Sequence, residues 1–315
     1  MHGWLIQDLR ISAWVLLPIA LGVLAARFGV PKRAARGLFN FAFYGCQTWV
    51  TVAAIWVARI HAQARLLPLL TLSGWFVSAG IAWLASRRWS AAPARRGGFI
   101  LSVCMSNNGF TLLGLIAIAV FGEAGLAQAT YAQLLYTPFF LLCCFPIARS
   151  FGQSTQKISL GALLKQNAVD PRVWVPLVAV CAGLLLNAEH VPRPAAVGSL
   201  TRVLIFVGTA ASSSALGLLF NGLHLRRYWR ENAFSFLYRS SFYPLFYWGL
   251  ARVTRLGPLD SVTLVLYGLV PSALLANMLA VYFDLDTELT SSMFLVSTLL
   301  FLVCVLPVFL IAVQP

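Results

Sequence analysis

The sequence predicts an all-α integral membrane protein: ten transmembrane helices in two inverted five-helix repeats, with helices four and nine broken. Three observations predict it. The 315 residues are 60% hydrophobic and only 10% charged, with a mean hydropathy of +0.81, whereas a soluble domain carries about 25% charged residues. Ten windows have the apolar length of a membrane crossing. Two of those windows are interrupted by polar or helix-breaking residues at matching places in the two halves of the chain.

In chain order the windows are 13–27, 38–58, 67–86, 98–120, 127–148, 173–188, 198–221, 233–253, 261–283 and 290–313. The longest polar stretch between windows runs from Ser150 to Arg172 and divides them five and five. The expected units are therefore a first repeat over 1–150, a cytoplasmic connecting loop over 151–172 and a second repeat over 173–315. Window starts pair across the loop at a nearly constant offset, 13 with 173 and 127 with 290, for example. An odd number of crossings per half turns the second half upside down, which is the pattern of inverted-repeat secondary transporters. Ten helices joined by short loops look periodic by chance, so the spacing is weaker evidence than the coincident interruptions of windows four and nine.

The net charge of +14 orients the chain in the bilayer. With the N-terminus outside, sixteen of the 23 lysines and arginines face the cytoplasm, in groups such as Arg27, Lys32, Arg33 and Arg36, or Arg226, Arg227, Arg230 and Arg239. The positive-inside rule then places both termini on the non-cytoplasmic side of a cell (inner) membrane. Basic residues spread between crossings touch anionic lipid and form no single basic face, so no nucleic-acid partner is expected. The first window reads as a retained helix rather than a cleaved signal. All six cysteines lie in windows without metal-ligand or CxxC spacing, and free buried cysteines are ordinarily packing residues.

All nine acidic residues, Asp8, Glu123, Asp170, Glu189, Glu231, Asp260, Asp284, Asp286 and Glu288, fall outside the windows or at their ends. A midplane carboxylate proton relay is thus not expected. No cofactor is implied, and any Na⁺ or proton coupling would use neutral oxygens. Ser106-Asn107-Asn108-Gly109-Phe110 lies near the middle of window four, where unpaired amides cost several kcal/mol each in hydrocarbon. Asn107, Asn108, Gly109 and Thr111 form a candidate substrate cluster, with Gly109 permitting an unwound backbone and the following helix start offering N–H groups to an anion. Pro271, Ser272 and Asn277 interrupt window nine, the proline removing a helical hydrogen bond. Gln47 in window two and Gln133 in window five are further candidates for a central site. For each amide the alternative is helix–helix adhesion. Ser212, Ser213 and Ser214 read as a small packing face. Arg239, some seven residues inside window eight, reads as snorkelling to the interface, the alternative being neutralisation of an organic anion. The four histidines are scattered, no phosphate-binding Gly-Lys-Ser/Thr loop occurs, and no nucleophile has a carboxylate partner, so an enzyme is not expected.

These residues resemble the auxin efflux carrier family of membrane transporters, which is similar in fold to bile-acid/sodium symporters. The resemblance rests on Ala20-Leu21-Gly22 through Leu38 and on Asn107-Asn108-Gly109-Phe110, continuing to Phe121-Gly122-Glu123-Ala124-Gly125-Leu126. It also rests on the small-residue stretch 210–222 and on Pro271-Ser272-Ala273 with Leu285-Asp286-Thr287-Glu288-Leu289. It implies that broken helices four and nine cross at the substrate site. It further implies transport of a small organic anion or weak acid, often by a homodimer. Three positions depart from the family pattern: Leu113-Gly114-Leu115 stands where a Gly-Leu-Pro run is expected, Gly45-Cys46-Gln47 lacks the second window's proline, and Leu275 replaces an asparagine four residues after Pro271. The expectation is a secondary transporter working by alternating access. The alternative is a non-transporting membrane sensor or partner subunit that retains the fold.

Overall fold

The computed structural model describes residues 3–31, 33–89, 92–106, 110–152, 171–220 and 226–313, which are helical almost throughout. The helices are α1 (Gly3–Arg27), α2 (Arg33–Trp56), α3 (Ala64–Trp89), α4 (Pro93–Cys104), α5 (Thr111–Phe151) and α6 (Pro171–Ala188). They continue with α7 (Ala195–Leu219), α8 (229–253), α9 (Pro258–Leu269), α10 (Leu274–Tyr282) and α11 (Thr287–Val313). Among the described residues, α1, α2, α3, α5, α7 and α11 are long and apolar enough to cross a membrane, and Trp174–Ala188 of α6 and α9 are shorter apolar helices. Leu17, Leu142, Leu185, Leu245 and Val303 are exposed, as side chains facing lipid would be. The chain is a multi-pass membrane protein. Most of the expected connecting loop, 153–170, lies outside the described residues, as do Asn107, Asn108 and Gly109.

Window four contains most of α4 and the start of α5. Met105 leaves the helical region (φ −96°, ψ 117°), and the chain re-enters helix through a wide π turn at Phe110–Gly114. Window nine contains α9 and α10. Pro271 excludes the preceding residue from helical geometry, and Val270 is accordingly extended (φ −61°, ψ 145°), as is Ala273 (φ −79°, ψ 143°). The windows expected to end near 120 and start near 127 are joined in one helical segment. Its bend is Gly122, at φ +67° and ψ −154°, a conformation that only glycine adopts without strain. At the N-terminus the helix starts ten residues before its window, so Asp8 lies within α1 and is 8% exposed.

Close backbone approach fixes two helix pairs. A Cβ on Gly22 of α1 would strike the Ser214 carbonyl of α7, and one on Gly268 of α9 would sit 2.7 Å from the Pro244 nitrogen of α8. Ion pairs gather at the two ends of the bundle. At one end Arg95 meets Glu231 (2.5 Å) and Arg227 meets Glu288 (2.7 Å), while Asp286 caps α11 by accepting from Leu289 N–H at 2.9 Å and from the Tyr228 hydroxyl at 3.0 Å. Burial and the Asp286 carboxylate push the Tyr228 phenol well above its ordinary range, so it stays a neutral donor. At the other end Glu123, just beyond the Gly122 bend, pairs with Arg193 and Arg202, and His61 meets Asp260 at 3.1 Å.

Candidate substrate site

The segments that follow α4 and α9 meet. Ser106 and Ser272 form an isolated antiparallel bridge, with Ala273 N–H donating to Met105 O at 2.9 Å and the Ser272 hydroxyl donating to Ser102 O at 2.6 Å. Each segment thereby satisfies backbone groups that its own helix has released, which a hydrocarbon surrounding would otherwise leave unpaired. Ser272 is fully buried in this pairing, and its N–H donates to Ser297 Oγ at 3.2 Å.

Beside the junction lies a cavity of about 60 Å³. Its polar lining comes from Gln47, Ser106, Thr111, Gln133, Tyr136, Ser212, Ser213 and Thr298. Its apolar walls include Val15 and Ile19 of α1, Phe43 of α2, Leu274 of α10 and Phe294 of α11. Such a volume holds on the order of five water-sized probes. Gln47 and Gln133 also line a smaller void of about 10 Å³ with Thr51 and Thr130. Gln47 Oε1 and Thr298 Oγ1 are buried without a hydrogen-bond partner among the described residues. Buried polar atoms of this kind normally bind something, so the lining has capacity left for a guest. Thr111 and Leu112 open α5, and Ala273, Leu274 and Leu275 open α10, so the cavity sits at two helix starts, the positive ends of their dipoles.

The sequence candidates therefore divide by position. Gln47, Thr111 and Gln133, from windows two, four and five, converge on one cavity. Pro271 and Ser272 form the junction behind it, without lining it. Asn277 faces elsewhere: its Oδ1 accepts from Thr290 Oγ1 at 2.8 Å and Ser291 Oγ at 3.1 Å, tying α10 to α11. Asn107, Asn108 and Gly109 lie outside the described residues. The serines expected to pack do so in part, Ser212 Oγ donating to Gly208 O at 2.9 Å and to Thr209 O at 3.0 Å, yet Ser212 and Ser213 also line the cavity.

Arg239 corrects the expectation of a snorkelling side chain. It is 3% exposed, and its guanidinium lies against the junction rather than at the interface. Nη1 donates to Ser106 Oγ at 2.7 Å and Val270 O at 2.9 Å, and Nη2 donates to Val103 O at 2.8 Å and Met105 O at 2.9 Å. The local reason is a π turn at Tyr238–Phe242, a wide turn of a kind found at functional sites. Tyrosines surround it: the Tyr238 hydroxyl is 2.6 Å from Ser78 Oγ, and the Tyr243 and Tyr247 hydroxyls are 3.0 Å apart. The sequence signal for Arg239 was the arginine itself, inside an apolar window, where charge is costly and usually functional. Thr298, in contrast, had no signal that set it apart from other hydroxyls.

No protein-family model matches the chain. A protein of Methanothermobacter thermautotrophicus described as an uncharacterized transporter is 28% identical to it over 239 residues, covering 76% of this chain and 75% of that protein.

Proposed function

We propose that the chain is a secondary transporter that moves a small organic anion or weak acid across the membrane by alternating access. The observation that carries this reading is the cavity at the paired helix interruptions, lined by amides and hydroxyls from several helices. The two helix starts at the cavity favour an anion there. A hydroxyl that accepts from a guanidinium is a stronger donor, which suits Ser106 to a carboxylate in the cavity. The similarity to a protein described as a transporter supports the same reading. In it the ten windows form two inverted five-helix repeats, α4–α5 and α9–α10 are the broken, crossing helices, and the resemblance to the auxin efflux carrier family extends to a second copy as partner. Asn107, Asn108 and Gly109 complete the substrate site.

Purified protein in liposomes tests this. Labelled malonate, longer dicarboxylates and aromatic acids are offered with and without a Na⁺ or proton gradient. Uptake of at least one anion is expected, reduced about tenfold or more by Gln47→Leu or Asn107→Ala through lost hydrogen bonds to it. If no acid moves and none shifts the melting temperature, the reading is lost. Binding without flux identifies a membrane sensor instead.

A further inference from the structure

We propose that the guanidinium of Arg239 is the built-in cation of a cation site formed by the C-terminal ends of α4 and α9, so that the junction takes up no free cation. A helix C-terminus leaves carbonyls unpaired and concentrates about half a negative charge. α4 ends at Cys104 and α9 at Leu269, and the Ser106–Ser272 pairing brings the two ends together. They present on the order of one negative charge to a single point, which matches one arginine.

The contacts fit that assignment. The acceptors around the guanidinium are the main-chain carbonyls of Val103, Met105 and Val270, the Ser102 carbonyl at 3.3 Å, and Ser106 Oγ. None is a carboxylate. A buried ion costs several kcal/mol unless something compensates it, and here dipoles replace the usual counter-ion. Neutral carbonyl and hydroxyl oxygens are also the ligands that hard free cations take. Arg239 Nε has no hydrogen-bond partner among the described residues, and the hydrogen bonds that hold the side chain run from its terminal nitrogens. The cation site and the cavity are distinct: Ser106 belongs to both, while Arg239 contacts the helix ends and does not line the cavity. Shortening Arg239 leaves the oxygens in place and empties the cradle, which a free guanidinium or Na⁺ then fills.

The test reads folding in detergent, so it stands whether or not the chain transports anything. The melting temperatures of wild type, Arg239→Ala, Arg239→Lys and Arg239→Met are measured in millimolar guanidinium, Na⁺ or choline chloride at matched ionic strength. Wild type should respond equally to all three salts. Arg239→Ala should melt about 5 °C or more below wild type and recover at least half of the loss with guanidinium or Na⁺ but not with choline. Arg239→Lys, which keeps the charge, should melt clearly above Arg239→Met. If Arg239→Ala does not fold, the lysine and methionine variants decide, and equal melting of those two overturns the proposal. A folded Arg239→Ala that ignores both small cations, or that melts with wild type, also overturns it.

Discussion

A single contact joins Arg239, at the ends of α4 and α9, to Ser106, at the edge of the cavity. The Ser106 hydroxyl accepts from Arg239 at 2.7 Å on one side and borders the cavity on the other. A hydrogen bond to a charged group contributes about 1.5–3 kcal/mol. Ser106→Ala should therefore lower the unfolding free energy by about 2 kcal/mol, read from denaturation in detergent, and weaken anion uptake in the same preparation. Gln47→Leu should behave differently. Its Oε1 has no partner to lose among the described residues, so stability should hold or rise while uptake falls; a variant that loses stability as well would make Gln47 a packing residue.

The ends of α4 and α9 lie side by side through the Ser106–Ser272 pairing, which sets two backbone dipole ends next to each other. The break after α9 is local chemistry, because Pro271 drives Val270 out of the helical region in any surrounding. The break after α4 has no proline, and there Met105 is held extended by its carbonyl's bonds to Arg239 and Ala273. Outside the junction, the Leu285–Leu289 stretch has a plain structural explanation. Asp286 caps α11 and accepts from Tyr228, and Glu288 pairs with Arg227. Asp286→Ala should cost about 1–2 kcal/mol through the lost cap, checked by chemical denaturation, whereas Glu288→Ala, at an exposed pair, should cost less than about 1 kcal/mol.

Across the whole molecule, the ion pairs at the two ends and the apolar flanks between them match a chain that crosses the bilayer many times. The basic excess predicts that both termini lie outside the cytoplasm. A single cysteine placed at position 314, in a variant lacking the six native cysteines, should react with a membrane-impermeant maleimide added to intact cells; labelling only after lysis would reverse the orientation. The apolar helices, the departure from helix before Pro271 and the presence of polar Gln47, Thr111 and Gln133 in apolar windows were legible in the residue order, because hydropathy and proline sterics act locally. Which of the polar residues would meet was not legible. Asn277 and Gln47 look alike in sequence, but one bonds to Thr290 and the other borders the cavity. Arg239 is the sharpest case: its long side chain reaches either the interface or the interior. The interior is favoured only after folding sets two helix ends side by side, because the acceptors that hold the guanidinium are main-chain carbonyls and Ser106 Oγ, with no carboxylate among them in the described residues.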